Sequence, residues 1–462
     1  MKRLNELLPV SFDTEVFGIT DDSRLVQDGY IFVATKGYFV DHYDYIDDAI
    51  QKGCCFVVCD REINEDFPHL VVDNIQNYYL ELCKKYYDIF FDDFHFIGIT
   101  GTDGKTTTAT IVMELLDNCA YIGTNGLMFC GKKIPISNTT PCISELCKCL
   151  SMVREVGISN VVMEVSSEAL LHHRIDGIVF DIIAFTNITG DHLNIHRSFD
   201  NYVNSKLQLL NYTNSNSKVV VNNDDVNLKH VKCKNIVTFG KDVSNYRIAN
   251  IHYEDTYTMF SVIHDQNTYL ITSPLFGEYN VYNVTEAFLI SSMFGISTDD
   301  LMYKIKNLSA ISGRGERLDF GQDYLIVLDY AHTINGVKSI LEAYQEYEDI
   351  IVVTGAAGGR EITKRPIIGK MVIDLSDMAI FTMDDPRYED VNTIIDQMVG
   401  NNKNYIRIVD RKEAIWYALD HAHSNSAVLI IGKGRDNYMA IEDRKEPYSD
   451  YDVICEYFKS NS

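Results

Sequence analysis

At 462 residues, with 46% hydrophobic and 11% aromatic content, the chain is long enough for about two to four domains with substantial cores. A formal net charge of −25 excludes non-specific attraction to nucleic acid or an anionic membrane, so an anionic substrate must meet a local cluster of basic groups. No apolar run is long enough to span a membrane, and Lys2 and Arg3 lead into a stretch broken by Asn5, Glu6 and Pro9, unlike a signal peptide.

Residues 1–92 read as a small α/β unit. Asp22-Ser23-Arg24 falls in a polar turn, apolar runs at 31–34, 55–59 and 70–72 predict strands, and an amphipathic helix is expected over 45–51. Such a turn can present a hydroxyl and a guanidinium to a phosphate or a uracil edge, although simple capping of the turn explains it as well.

The second unit, 93–313, opens with the stretch around which the chain is organised. Phe94 to Ile99 predicts a buried strand, Gly101 and Gly104 a turn, and Ile111, Val112, Leu115 and Leu116 one face of a helix. Strand, glycine loop and helix start hold a polyphosphate well, because backbone N–H groups close on its oxygens and the helix N-terminus adds partial positive charge. Lys105 would reach the terminal phosphates and the Thr106 hydroxyl would ligate Mg²⁺. Ile99 stands where the full G-x-x-x-x-G-K-[ST] pattern has its first glycine, so Gly101-Thr102-Asp103-Gly104-Lys105-Thr106 is a shorter variant.

A strand over 160–163 delivers Glu164 to the place where a second Mg²⁺ ligand belongs, while Ser166 or Ser167 would equally make the stretch a helix cap. His192 and His196 are spaced i, i+4, but no glutamate follows the first, so one histidine helping to hold Mg²⁺ is expected rather than a zinc site. Read alone, Lys206 is a solvent-facing lysine on an amphipathic helix. Strands are expected at 219–222 and 236–239 and an antiparallel edge over 246–272. A helix follows from Gly277, where Asn280 and Asn283 can read an adenine edge or cap. The eleven cysteines read as free thiols, and Cys142, Cys147 and Cys149 lack the paired spacing of a zinc site.

The third unit, 314–462, begins at Ser312 to Arg317. Strands at 325–328, 350–353, 378–382, 405–409 and 427–431 alternate with helices, which predicts a mostly parallel, Rossmann-like sheet covered on both faces. Polar or glycine-rich clusters follow four of these strands: Asp329 to His332, Gly355 to Gly358, Asp384 to Arg387, and Gly432 to Asp436. Sites in such sheets lie beyond the C-terminal strand ends.

Taken in order, these motifs resemble the Mur ligase family, ATP-dependent enzymes that extend the peptide of bacterial cell-wall precursors. The chain is most similar to the branch that adds the third residue to UDP-N-acetylmuramoyl-L-alanyl-D-glutamate. The match runs through Asp22 to Arg24, Gly101 to Thr107, Asn138 to Pro141, Met163 to Ser167 with Arg174, Asn187, Asp191-His192 and Lys206. It continues through Asn280 with Asn283, Gly313 with Arg314 and Arg317, Asp329 to His332, Lys364 to Pro366, Asp384 to Arg387 and Gly432 to Gly434.

The resemblance implies three α/β domains: an N-terminal UDP-precursor-binding domain, a central P-loop ATPase-like domain and a C-terminal Rossmann-like domain for the amino acid. It implies that Ser23 and Arg24 hold the UDP end, and that Asn138, Thr139, Thr140, Ser166 and Arg174 hold the muramoyl peptide. Gly101, Thr102, Gly104, Lys105, Thr106 and Thr107 would grip ATP, with Asn283, Arg317 and Asp329 around its adenosine and phosphates. Lys105, Glu164, His192 and Lys206 would be catalytic; Thr106, Glu164, His192 and a carbamylated Lys206 would hold Mg²⁺. Asp384, Asp385, Arg387, Gly432 and Asp436 would bind the amino acid. The implied partners are small molecules, with no nucleic acid and no membrane, for a monomer in the cytoplasm.

Departures bear on the amino acid. Diaminopimelate-type members read Asp-Asn-Pro-Arg and Gly-Lys-Gly-His-Glu; here the motifs are Asp384-Asp385-Pro386-Arg387 and Gly432-Lys433-Gly434-Arg435-Asp436. Arg387 favours a distal carboxylate and Asp385 an added ammonium, a balance that tips slightly to L-lysine. Asp103 replaces a usual asparagine in a loop that works through its backbone. A folylpolyglutamate synthase-like ligase, a nucleotide-gated P-loop ATPase, and a ligase altered to act on another precursor stay open as alternatives.

Overall fold

The computed structural model describes residues 2–35, 41–63, 66–191 and 193–460. It forms two compact units, one of Met1–Ile99, Asp117–Ile183 and Ser205–Ser217, the other of Thr100–Leu116, Ala184–Asn204 and Lys218–Ser462.

The first unit contains a four-stranded, all-parallel sheet in the order Gly18–Thr20, Tyr30–Val33, Phe56–Cys59 and His69–Val71. Its two inner strands are apolar on both faces, as a parallel sheet covered on both sides requires. Phe32, Val57 and Cys59 pack with Ile46 and Ala49 of the helix Ile46–Gln51. The same unit holds parallel strands His95–Thr100 and Cys119–Gly123 on either side of Asn160–Glu164. A hairpin, Gly126–Phe129 with Lys132–Ile134, extends that sheet.

In the second unit, Lys218–Asn222 pairs with Ile236–Gly240, and the polar stretch after them becomes three strands, Tyr246–Tyr253, Thr258–His264 and Asn267–Ser273. The two pairings within that trio are antiparallel, as the composition predicts. The C-terminal sheet has the order Glu316–Leu318, Leu325–Asp329, Ser426–Ile431, Asp349–Thr354, Met378–Phe381, Ile406–Arg407. All of its pairings are parallel except that of the first strand. Alternate strand residues feed two cores: Val327, Val352 and Leu429 on one face, Leu328, Val353 and Ile430 on the other. Helices therefore cover both faces, and the polar segments are left at the strand ends.

The expected strand over 405–409 is shortened to Ile406–Arg407, at the edge of the sheet. The strand Glu316–Leu318 and the hairpin Tyr438–Ile441 with Arg444–Pro447 have no sequence counterpart above: Glu316–Leu318 and Arg444–Pro447 are short and mostly polar, and Tyr438–Ile441 is a four-residue run without alternation. All eleven cysteines are free thiols. Among the described residues no helix is long and apolar enough to cross a membrane.

Candidate active site

In the second unit the glycine loop is held open by side chains behind it. Gly104 has φ +85°, and a Cβ there would strike Asn283 Oδ1; a Cβ on Gly101 would strike Thr186 Oγ1. Asn187 clamps the loop by accepting from the Asp103 N–H at 3.0 Å and donating to its carbonyl at 3.2 Å. The helix Lys105–Leu115 starts directly behind, so its first turn faces the loop. Lys105 Nζ donates to the carbonyls of Gly101 and Thr102, both at 2.9 Å, which keeps the ammonium at the mouth of the loop. Thr102 Oγ1 donates to the Thr189 carbonyl at 3.0 Å, whereas Thr106 Oγ1 accepts from Arg314 Nη2 at 3.2 Å. Thr107 is buried.

The residues expected around the adenosine lie on the helix Glu278–Ser292 and the strands Glu316–Leu318 and Leu325–Asp329. Asn283 Nδ2 donates to Asn280 Oδ1 at 3.2 Å, and Asn283 Oδ1 accepts from Thr108 Oγ1 at 3.4 Å. Arg317 lies 4.2 Å above the Phe276 ring, which stacks on Tyr344, and donates to the Asp255 carbonyl. Asp329, the last residue of its strand, accepts from the N–H groups of Gly315 at 2.5 Å and Ala331 at 2.6 Å. Burial pushes its carboxyl up to about 6 against the opposing pull of Arg314.

Beyond the next strand ends the structure gathers the expected amino-acid residues around Lys433, whose side chain is 1% exposed. Its Nζ lies 2.8 Å from Asp385 Oδ1, 4.0 Å from Asp384 and 3.9 Å from Asp436. Asp385 Oδ1 also accepts from the Ala440 N–H at 2.9 Å. Asp385 and Arg387 both have positive φ, 42° and 52°, and this kink turns the segment back over the strand ends. Gly432 has φ +113°, and a Cβ there would strike Asp384 Oδ2. Burial pushes Asp436 up to about 6 and raises Asp384 as well, with Lys433 and Arg411 respectively the chief opposing charges. The Gly432 N–H donates to the Asp329 carbonyl at 3.0 Å, which ties this cluster to the end of the strand Leu325–Asp329.

The first unit assembles a second group. Glu164 ends the strand Asn160–Glu164, is fully buried, and accepts from the Tyr121 hydroxyl, from Thr124 N–H at 3.0 Å and from Thr124 Oγ1 at 3.3 Å. Thr140 Oγ1 donates to the Glu164 carbonyl at 2.8 Å and accepts from Ser166 N–H at 3.0 Å, while Arg174 Nη1 donates to the Thr140 carbonyl at 3.2 Å. Thr139 pairs with Thr124 through hydroxyls 3.1 Å apart. Ser166 also caps the helix Ser167–Leu171, accepting from Ala169 N–H at 3.1 Å, so the capping reading holds. Asn138, which donates to Ser137 Oγ at 3.1 Å, stands next to Thr139 on the rim of this group.

Ser23 and Arg24 sit on a separate turn capped by Asp22. Arg24 forms a fork on the Asp22 carboxylate at 2.9 and 2.6 Å, which holds that carboxyl below its usual range. Lys206 is 2% exposed, so the solvent-facing reading of it is corrected: this part of the helix Phe199–Leu207 faces inward. His192 lies outside the described residues.

Residues 15–84 match the Mur ligase family catalytic domain, 99–291 the Mur ligase middle domain and 313–434 the Mur ligase glutamate ligase domain. A UDP-N-acetylmuramoyl-L-alanyl-D-glutamate--2,6-diaminopimelate ligase of Bacillus cereus is 34% identical over 460 residues, covering 96% of this chain and 94% of that one. The chain belongs to the Mur ligase family. A solved structure of a UDP-N-acetylmuramoyl-L-alanyl-D-glutamate--2,6-diaminopimelate ligase is 25% identical, has a TM-score of 0.66, and is covered over 99% of its length against 100% of this chain. The MurF ligase of Thermotoga maritima in complex with ADP shares the fold with a TM-score of 0.68 at 18% identity, over 96% of this chain and 97% of that one. The protein is thus a three-domain α/β Mur ligase, an ATP-dependent, ADP-forming enzyme of peptidoglycan biosynthesis.

A Mur ligase implies Mg²⁺. Taken separately, the Thr106 hydroxyl in the second unit and the Glu164 carboxylate in the first are each hard oxygen donors of the kind that suits Mg²⁺. Among the described residues no group of three or more His, Cys, Asp or Glu could hold a metal ion. Two buried residues escaped the sequence reading. Arg411 Nε and Nη2 each lie 2.8 Å from the Asp450 carboxylate, and both side chains are 0% exposed. Arg411 also donates to the Ile431 carbonyl at 3.0 Å and the Met383 carbonyl at 3.4 Å, immediately before Gly432 and Asp384. An arginine and an aspartate 39 residues apart carry no local motif, so nothing in the sequence pointed to them.

Proposed function

We propose that this ligase joins 2,6-diaminopimelate to the D-glutamate carboxyl of UDP-N-acetylmuramoyl-L-alanyl-D-glutamate through an acyl phosphate. The Lys433–Asp385 ion pair carries the choice of amino acid. Asp385 is the sequence cue toward an added ammonium, but Lys433 at 2.8 Å already matches its charge. That leaves the Arg387 guanidinium, which favours a distal carboxylate. The names of the relatives, diaminopimelate ligases among them, support the same reading.

A carboxylate is a poor electrophile, so the terminal phosphoryl group of ATP is transferred to it first. The loop N–H groups, the start of the helix and Lys105 stabilise charge as that group moves. Thr106 and Glu164 would hold one Mg²⁺ and His192 would help to hold a second, with Lys206 as a carbamate ligand, and the bound ions would neutralise charge at the phosphates. Asn283, Arg317 and Asp329 hold the nucleoside and ribose-phosphate side. Asn138, Thr139, Thr140, Ser166 and Arg174 hold the muramoyl peptide, and Ser23 and Arg24 the UDP end. The amine of the incoming diamino acid then attacks the acyl phosphate, and the tetrahedral intermediate expels phosphate. Domain boundaries near 92 and 313 give each substrate its own α/β unit. A monomer in the cytoplasm, meeting only small molecules, completes the reading.

The test is product analysis by mass spectrometry with meso-diaminopimelate and L-lysine in competition, on the wild type and an Arg387→Ala variant. The diaminopimelate tripeptide should dominate, and Arg387→Ala should reduce the preference by about tenfold or more. Preferential incorporation of L-lysine by the wild type would refute the assignment.

A further inference from the structure

The reaction above leaves one departure in the sequence unused: Arg435 stands where diaminopimelate-type members read histidine. Sheet topology decides what it meets. The strand Glu316–Leu318 runs antiparallel to Leu325–Asp329, with Glu316 opposite Leu328. It therefore starts at the end of the sheet where Leu325–Asp329 and its parallel neighbour Ser426–Ile431 finish. The turn before Glu316, which carries Arg314, and the loop after Ile431, which carries Asp436, come together there within the second unit.

The two segments touch through their backbones. Gly313 has φ +66° and Gly434 φ +51°; a Cβ on Gly313 would lie 2.6 Å from the Arg435 nitrogen, and one on Gly434 2.8 Å from the Gly313 carbonyl oxygen. Glu316, which is buried, fastens this contact. Its Oε2 accepts from the Gly313 N–H at 2.7 Å and from Arg435 Nε at 2.8 Å, and its Oε1 accepts from Arg435 Nη2 at 2.5 Å. The Arg435 guanidinium also lies 3.4 Å from the centre of the Tyr451 ring, so ring and fork together fix its plane. An imidazole has no such fork. On the other side of the turn, Arg314 reaches Thr106 Oγ1 and the Gly315 N–H is held by Asp329.

We propose that Arg435 is a positioning residue for the incoming diamino acid: through its fork on Glu316 it fixes Asp436 against the turn that carries Arg314. Asp436 is the next residue in the chain, and its arm is one methylene shorter than the glutamate of the diaminopimelate-type pattern. A shorter arm makes the reach of the carboxylate depend more closely on where the loop is held. Arg435 spends its own charge on Glu316 and acts only through its neighbour. The proposal rests on the reading of Asp436 as an amino-acid contact.

The experiment measures kcat, KM for ATP and KM for meso-diaminopimelate, with L-lysine in a parallel series. It compares the wild type with Arg435→Met, Arg435→Lys, Glu316→Gln, the double variant Arg435→Met with Glu316→Gln, and Asp436→Ala, and follows thermal unfolding of each. Arg435→Met should raise KM for the diamino acid by about tenfold and leave kcat and KM for ATP within about twofold, because the Gly313 N–H keeps its acceptor. Arg435→Lys keeps the charge and loses the fork, so its KM should fall between. The double variant should be no worse in that KM than the poorer single one. An unchanged KM for both diamino acids in Arg435→Met, a loss confined to kcat or melting temperature, or a double variant whose rise is the product of the single rises would overturn the proposal alone. An unchanged KM in Asp436→Ala would overturn the amino-acid reading of the loop and the proposal with it.

Discussion

Asp450→Asn tests how the strand-end cluster is held. The wild-type pair is a two-pronged ion pair at 2.8 Å with both side chains at 0% exposure, and Tyr448 adds a hydroxyl to Asp450 Oδ1 at 2.9 Å. Removing one partner of such a pair leaves a guanidinium buried without its counter-charge, at a cost of about 3–5 kcal/mol. At about 2–4 °C per kcal/mol, that is a fall of roughly 6–20 °C in the melting temperature. Because Arg411 also holds the carbonyls that precede Gly432 and Asp384, KM for the diamino acid should rise more than KM for ATP. Thermal unfolding and steady-state kinetics read both effects. Replacing both partners, Arg411→Met with Asp450→Leu, removes the stranded charge and should recover much of the loss. A single variant that melts within about 1 °C of the wild type, or a double variant no better than the single, would refute the reasoning.

Three further outcomes follow from the same geometry. Gly104→Ala places a Cβ against Asn283 Oδ1 at φ +85°, adding about 1 kcal/mol of backbone strain to the clash, so isothermal titration should show ATP affinity reduced by about tenfold or more. Thr106→Val removes the hydroxyl proposed above as a Mg²⁺ ligand, so the Mg²⁺ concentration giving half-maximal rate should rise several-fold while binding of the UDP precursor is unchanged. Asp329 titrates near 6 in the fold and about 3.9 when unfolded, so its protonated form is favoured by folding. The stability it supplies is present below pH about 4 and lost as pH rises to about 6, a span of about 3 kcal/mol. Melting temperatures from pH 4 to 7 should therefore fall less steeply with pH in Asp329→Asn than in the wild type.

The phosphate loop was legible because two glycines, a lysine and a helix start are a local pattern whose chemistry is carried mainly by backbone. The C-terminal sheet was legible for a similar reason, since apolar runs of strand length alternate with helical periodicity. The group around Glu164 came from resemblance: nothing in spacing alone says that Thr140 will bond the Glu164 carbonyl and Arg174 the Thr140 carbonyl. Pairings made only by the tertiary fold were out of reach. Lys433 meets Asp385 because positive φ at Asp385 and Arg387 folds that segment back, and Arg411 meets Asp450 across 39 residues. Lys206 misled for a related reason. Its amphipathic helix offers a polar face, and burial of that face is decided by what packs on it.

The central claim is an amino-acid-dependent ligase that activates a carboxylate with ATP. The most direct measurement is ADP release by the purified protein with ATP, Mg²⁺ and UDP-N-acetylmuramoyl-L-alanyl-D-glutamate, run with meso-diaminopimelate, L-lysine, L-ornithine or no amino acid. The account predicts sustained release only with a diamino acid, greatest with meso-diaminopimelate. Release at the same rate without an amino acid, or none with any of them, would contradict it.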